Sequence, residues 1–184
     1  MNRQPILENE RLLLRPLELG DWDGLFAVAS DPAVWEQHPM HDRWREDVFR
    51  AFFDDALAKG GALAIVDKKT DQIIGSSRFQ EFEPDEGGSL EIGWTFLACK
   101  YWGKGINRQV KQMMLAHAFE FVERVDFRVG ETNYRSQIAL ENIGAERTRR
   151  TELTRYQGSR VLHKIFEITR ENFAAGPLSQ PDAE

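Results

Sequence analysis

The chain holds a single cysteine, Cys99, among 184 residues, so no internal disulfide can form. That suits a reducing compartment. It also lacks any apolar run long enough to span a bilayer. Its opening, "MNRQPILENERLLLRP", has no signal-peptide core, and a cytoplasmic protein with no membrane partner is expected. Basic residues are outnumbered, giving a net charge of −6. Nucleic acid is therefore not expected as the main partner, because phosphate binding needs a basic face. The acidity suits a cationic ligand instead. No internal repeat is present.

Hydrophobic residues make up 41% and charged residues 29%, the balance of a globular domain with one sizeable core. One domain is expected over residues 7–170, with a flexible tail at 174–184, where "AAGPLSQPDAE" is small and polar.

Arg11–Leu17 reads as a strand. Asp21 reads as the cap of a following helix, and Asp31 caps another with Pro32 in its first position. "DRWREDVFRAFFDDALAKGG" reads as a helix with Trp44, Val48 and Phe52 on its apolar face and Gly60–Gly61 ending it. "ALAIVDKKTDQIIGSSRFQEF" is a hairpin. In the strand "SLEIGWTFLA", Leu90, Ile92, Trp94 and Phe96 should share one face. A long helix follows, striped by Ile106, Val110, Met113, His117 and Phe121 and widened by Met114 and Val122, with His117 read as a core histidine. A strand "DFRVG" comes next. A short helix then carries Ile138, Leu140 and Ile143, and a final hairpin turns at Gln157–Gly158. The order implies a mostly antiparallel sheet with a parallel pair supplied by the central strand–helix–strand unit.

The stretch "CKYWGKGINRQV" fails two phosphate-binding fingerprints. A Walker loop needs GxxxxGK[ST], and the dinucleotide fingerprint needs a third glycine. On its glycines alone it is a turn entering a helix. Its position between a strand and a long amphipathic helix still makes it an anion site, since the first helical turn has unpaired N–H groups and glycines allow close approach.

"LEIGWTFLACKYWGKGINRQVKQMMLAHAFE" followed by "NYRSQIALENIGA", with "LENERLLLRPLELGDWDGLFAVASDPAVW" before them, resembles the GCN5-related N-acetyltransferase (GNAT) superfamily. Within it, the likeness is to the branch related to ribosomal-protein N-terminal acetyltransferases. The resemblance implies an α+β fold, a twisted, mostly antiparallel sheet of about seven strands with one parallel pair at its centre, flanked by helices. It implies acetyl-CoA as cosubstrate, no metal, and transfer of acetyl to a primary amine, either a small molecule or a peptide N-terminus, by a monomer or homodimer. The alternative is a non-catalytic acyl-CoA sensor of the same fold.

The family's Arg/Gln-x-x-Gly-x-Gly/Ala signature falls on Trp102, Gly105 and Asn107. The resemblance implies a pyrophosphate cradle of N–H groups from Gly103, Lys104, Gly105, Asn107 and Arg108. Thr95, Phe96 and Leu97 would pair with the pantetheine arm, the Leu97 N–H meeting the acetyl oxygen. Asn133 would contact that arm or cap the short helix, and Ser136 would meet the departing sulfur. Many members carry a tyrosine acid where this chain has Leu140. Glu91 is the candidate base. Trp35, His38 and Trp44 are expected on the acceptor side, and a zinc reading of His38, His41 and Asp42 lacks further close ligands.

Overall fold

A computed structural model describes residues 1–179. Its sheet has eight strands in the order β1-β2-β3-β4-β5-β6-β8-β7. The strands are β1 (Leu7–Glu8), β2 (Leu12–Pro16), β3 (Ala62–Asp67), β4 (Gln72–Glu83), β5 (Ser89–Leu97), β6 (Arg124–Gly130), β7 (Glu146–Tyr156) and β8 (Ser159–Thr169). Every neighbouring pair is antiparallel except β5 and β6. The extra strand relative to expectation is the two-residue β1, too short to leave a periodic signal.

The helices are α1 (Trp22–Ala29), α2 (Pro32–Trp35), α3 (Glu46–Lys59), α4 (Ile106–Ala118), α5 (Tyr134–Glu141) and α6 (Arg170–Ala175). Asp31 accepts from the Ala33 N–H and caps α2. Asp21 precedes α1 but caps it with no side-chain bond. Its carboxylate takes a bidentate pair from Arg15 and the Glu18 N–H instead.

Two apolar clusters lie on opposite faces of the sheet. One joins Leu12, Ile65, Leu90, Ile92 and Phe166 to the inner face of α4. The other is aromatic and joins α1, α2 and α3 through Trp35, Phe49, Phe52, Phe53 and Phe96. Helix α3 therefore buries Phe49, Phe52, Phe53 and Ala56, while Trp44 is 42% exposed before the helix begins. Helix α4 is rotated from the expected stripe. Lys111, Met114, Leu115 and Ala118 turn inward beside Ile106 and Val110, and Phe121 lies outside the helix, exposed. His117 is half-buried, between the Phe79 and Phe121 rings, with Nε2 2.8 Å from the Asn2 carbonyl. In α5, Ile138 is exposed and Leu140 is buried.

The assignment of faces along β5 needs correction. Ser76 pairs with Phe96 and Arg78 with Gly93, so β5 spends one more residue than β4 between the two registers. The extra residue forms a β-bulge, and Trp94 sits there at φ +57°. Beyond it the alternation is reversed. Leu90 and Ile92 enter the α4 cluster, whereas Trp94 and Phe96 join the aromatic cluster.

Residues 174–179 are not a free tail. Leu178 is 2% exposed, and its carbonyl accepts from Gln112 Nε2 on α4 at 2.9 Å. The remainder of the expected tail, 180–184, lies outside the described residues.

Candidate functional site

Strands β5 and β6 pair only over Ser89–Glu91 and Arg124–Asp126. Past that point they diverge, and the bulge at Trp94 bends β5 away. The gap is a cleft of about 400 Å³. Its walls are Ile92–Leu97 of β5 and Phe127–Gly130 of β6. One end meets the glycine turn before α4, and the other meets Trp35, His38 and Arg43.

At the glycine end, Gly103 and Gly105 adopt φ of +69° and +73°. A Cβ on either would meet nothing within 4 Å. Here the left-handed backbone, not crowding, calls for glycine. Both residues line the cleft, together with Trp102, Asn107 and Arg108. Helix α4 starts immediately after, so its unpaired N–H groups and positive dipole end face this opening. Arg135 stacks 3.9 Å over the Trp102 ring and adds positive charge. Arg108 also donates to the Pro177 carbonyl.

Along β5, Thr95, Phe96 and Leu97 line the cleft. The Ala98 N–H donates to the Ile74 carbonyl on β4 at 2.9 Å. Alternation along the ladder then turns the Leu97 N–H and carbonyl toward the open side. The Leu97 carbonyl accepts from the Trp102 indole at 3.0 Å, which ties the turn to the strand edge.

Asn133 and Ser136 face the same cleft from α5. Asn133 caps that helix, its Oδ1 accepting from the Ser136 N–H at 3.2 Å. Cap and cleft wall are one residue, because the amide nitrogen is not used in the cap. Tyr134 is 62% exposed and Leu140 is buried.

Of the expected site residues, Lys104, Trp44 and Glu91 do not line the cleft. Lys104 points outward from the turn. Glu91 is 7% exposed and both its oxygens are engaged, by Arg128 at 2.6 Å and Gln80 at 2.8 Å. Burial raises its pKa in spite of the arginine. Cys99 is also off the cleft, and burial with Asp31 nearby pushes its thiol up to about 11, far from a thiolate. His38 Nδ1 accepts from the Met40 N–H, and the Asp42 carboxylate accepts from Tyr156 and Gln157. Among the described residues no three such side chains converge as metal ligands.

Several cleft residues were not anticipated from the sequence, and two of them are buried cations. Lys111, on the inner face of α4, is 3% exposed and donates to Thr95 Oγ1 at 2.6 Å. Burial lowers its pKa to about 7. Arg43 is 4% exposed at the opposite end. A basic residue in a charged segment carries no sequence sign of burial, so neither could be picked out there.

A strand-edge cleft that runs into a glycine turn at a helix N-terminus has the shape and polarity that suit an extended, phosphate-bearing ligand. The acetyltransferase (GNAT) domain family matches residues 11–146, and the chain belongs to that family of acyltransferases. It is 30% identical over 148 residues to the N-acetyltransferase p20 of Bacillus licheniformis, which spans 77% of this chain and 82% of the relative. A GNAT-family acetyltransferase of Bacillus anthracis superposes with a TM-score of 0.75 at 22% identity, covering 91% of this chain and 99% of that one. The spermidine N-acetyltransferase of Vibrio cholerae, solved with CoA and spermine, has the same fold. Its TM-score is 0.65 at 18% identity, with 90% and 99% covered.

Proposed function

We propose that the chain transfers acetyl from acetyl-CoA to a primary amine by direct attack within this cleft. The observation that carries the reading is the glycine turn: Gly103 and Gly105, open on their Cβ side, stand at the α4 N-terminus where the β5 edge is unpaired. The residues present fit acetyl-CoA. Phosphates would be bound by N–H groups of Gly103, Gly105, Asn107 and Arg108, with Lys104 contributing its N–H from outside the wall. The edge of Thr95–Leu97 would pair with the pantetheine arm as an added strand does.

Acetyl-CoA supplies the acetyl group as a thioester, activated toward an amine. The chain's part is to orient and polarise. The Leu97 N–H is directed to the open side and polarises the acetyl carbonyl. The Asn133 amide holds the arm, and the Ser136 hydroxyl donates to the departing sulfur. The acceptor amine packs against Trp35 and His38. No carboxylate base is assigned: Glu91 is spent on Arg128 and Gln80, so the amine would react from its neutral fraction, and the proton its nitrogen sheds on acylation would pass to the departing CoA sulfur, released as the thiol. Glu91 instead anchors Arg128 beside the cleft.

The test is thiol release from acetyl-CoA on mixing with a panel of primary amines. Turnover with at least one amine is expected. Tight CoA binding with no turnover would overturn the reading in favour of a non-catalytic acyl-CoA module, which the leucine at position 140 would then explain.

A further inference from the structure

The acceptor end of the cleft holds a buried cation with no carboxylate at ion-pair distance among the described residues. The Arg43 guanidinium lies 5.5 Å from the Trp35 ring, 4.7 Å from Phe52 and 4.7 Å from Trp94. Its side-chain hydrogen bond goes to the Met40 sulfur. Among the described residues it has no ion pair, and its Nε and Nη1 have no hydrogen-bond partner. Of the nearby carboxylates, Asp42 bonds Tyr156 and Gln157 and acts on Arg43 only through space, and Glu91 and Glu152 pair with Arg128. Burial pulls Arg43 down to about 10, against the opposing attraction of Tyr156 and Asp42. The other titratable groups facing this end are His38, His163, Arg128 and Tyr156, and none of them is a carboxylate.

Removing a guanidinium from water without a carboxylate is costly, and aromatic faces offset only part of that cost. A planar fork with free N–H groups is suited to bidentate recognition of a carboxylate. We propose that the acceptor is a small primary amine that also carries a carboxylate, an amino acid, with the carboxylate bound by Arg43. This rests on the transfer reading above and deepens it. It departs from the cationic acceptor that the net charge of −6 suggested, because the local field of the cleft, not the total charge, selects the ligand.

Two readouts separate the proposals. In the first, CoA-loaded protein is titrated calorimetrically with N-acetyl amino acids and with the matching N-acetyl amino acid amides. The acids should bind about tenfold or more tighter than the amides. The acid-to-amide ratio should collapse toward one in Arg43→Gln and be partly kept in Arg43→Lys, with CoA affinity retained in both. Equal affinities in the unsubstituted protein overturn the proposal. So does a loss of CoA affinity in both variants, which would make Arg43 structural. In the second readout, thiol release is compared for amino acids and their amides, and Arg43→Gln should raise KM for the acids selectively. An absence of release with every amine overturns the transfer reading, while the titration still decides the anion site.

Discussion

Lys111 joins sequence, packing and site in one residue. It occupies an inward position of α4, where its neighbours are Met114, Leu115 and Ala118. Its ammonium is 5.7 Å from the Phe127 ring and, among the described residues, bonds only the hydroxyls of Thr95 and Ser77. Those hydroxyls bond each other at 2.7 Å. With the folded-state pKa near 7 and the unfolded value at 10.5, the unfolded chain holds the extra proton between those limits. Stability attributable to this group therefore rises with pH from about 7 toward 10.5. Below that window the charged amine is buried at full cost. Replacing it in Lys111→Met should stabilise the protein most at pH 6 and progressively less by pH 9, read as the difference in urea midpoints. A constant difference across that range would mean Lys111 keeps its ordinary pKa. Glu91 gives a second residue-scale expectation. Glu91→Gln keeps the volume and the Gln80 neighbour but breaks the charged pair with Arg128. It should cost about 1–3 kcal/mol of stability, while the pH profile of kcat/KM keeps its shape. Loss of an acidic limb in that profile would return Glu91 to the role of base.

At the scale of elements, the glycine turn can be separated from its own strain. Gly105 and Gly158 both have positive φ and open space at the Cβ position. Gly158 turns the β7–β8 hairpin, away from the cleft. Gly105→Ala and Gly158→Ala should each cost about 1 kcal/mol of stability. Only the first places a methyl where phosphate would approach, so only it should weaken CoA binding, by about tenfold or more. Equal CoA affinities in the two variants would remove the turn from the site. Features set by adjacent residues were legible in the sequence: the Asp31–Pro32 helix start, the stop at Gly60 and the turn at Gln157–Gly158. The bulge was not, because a tryptophan at positive φ carries no local signature. That one insertion sent Trp94 and Phe96 to the unexpected face. The inward stripe of α3 was equally hidden. Both Phe52 and Phe53 are apolar enough to face a core, and Phe49, which packs on Trp22, Phe26, Trp35 and Phe96, decides the matter through tertiary contact.

On the scale of the whole molecule, the sheet is two antiparallel halves joined by a short parallel seam. The seam runs through Ser89–Glu91 and Arg124–Asp126. Beyond it, the facing edges of β5 and β6 carry N–H and carbonyl groups with no strand between them. Backbone of this kind is open to exchange and to augmentation by an extended ligand. A ligand that pairs with β5 and reaches Asn133 and Ser136 bridges both halves. Binding should therefore stabilise the fold as a unit, by about 2.7 kcal/mol at a hundredfold excess over Kd. The more specific expectation concerns hydrogen exchange. In the free protein the cleft-facing amides of Ile92–Leu97 should exchange faster than the amides of β6 that face β8, with which it pairs along Arg124–Gly130. With CoA bound, the β5 amides should slow together with those of the Gly103–Arg108 turn, and β7 should not change. Protection confined to the turn would mean that only the phosphates are held, and the added-strand geometry along Thr95–Leu97 would fall.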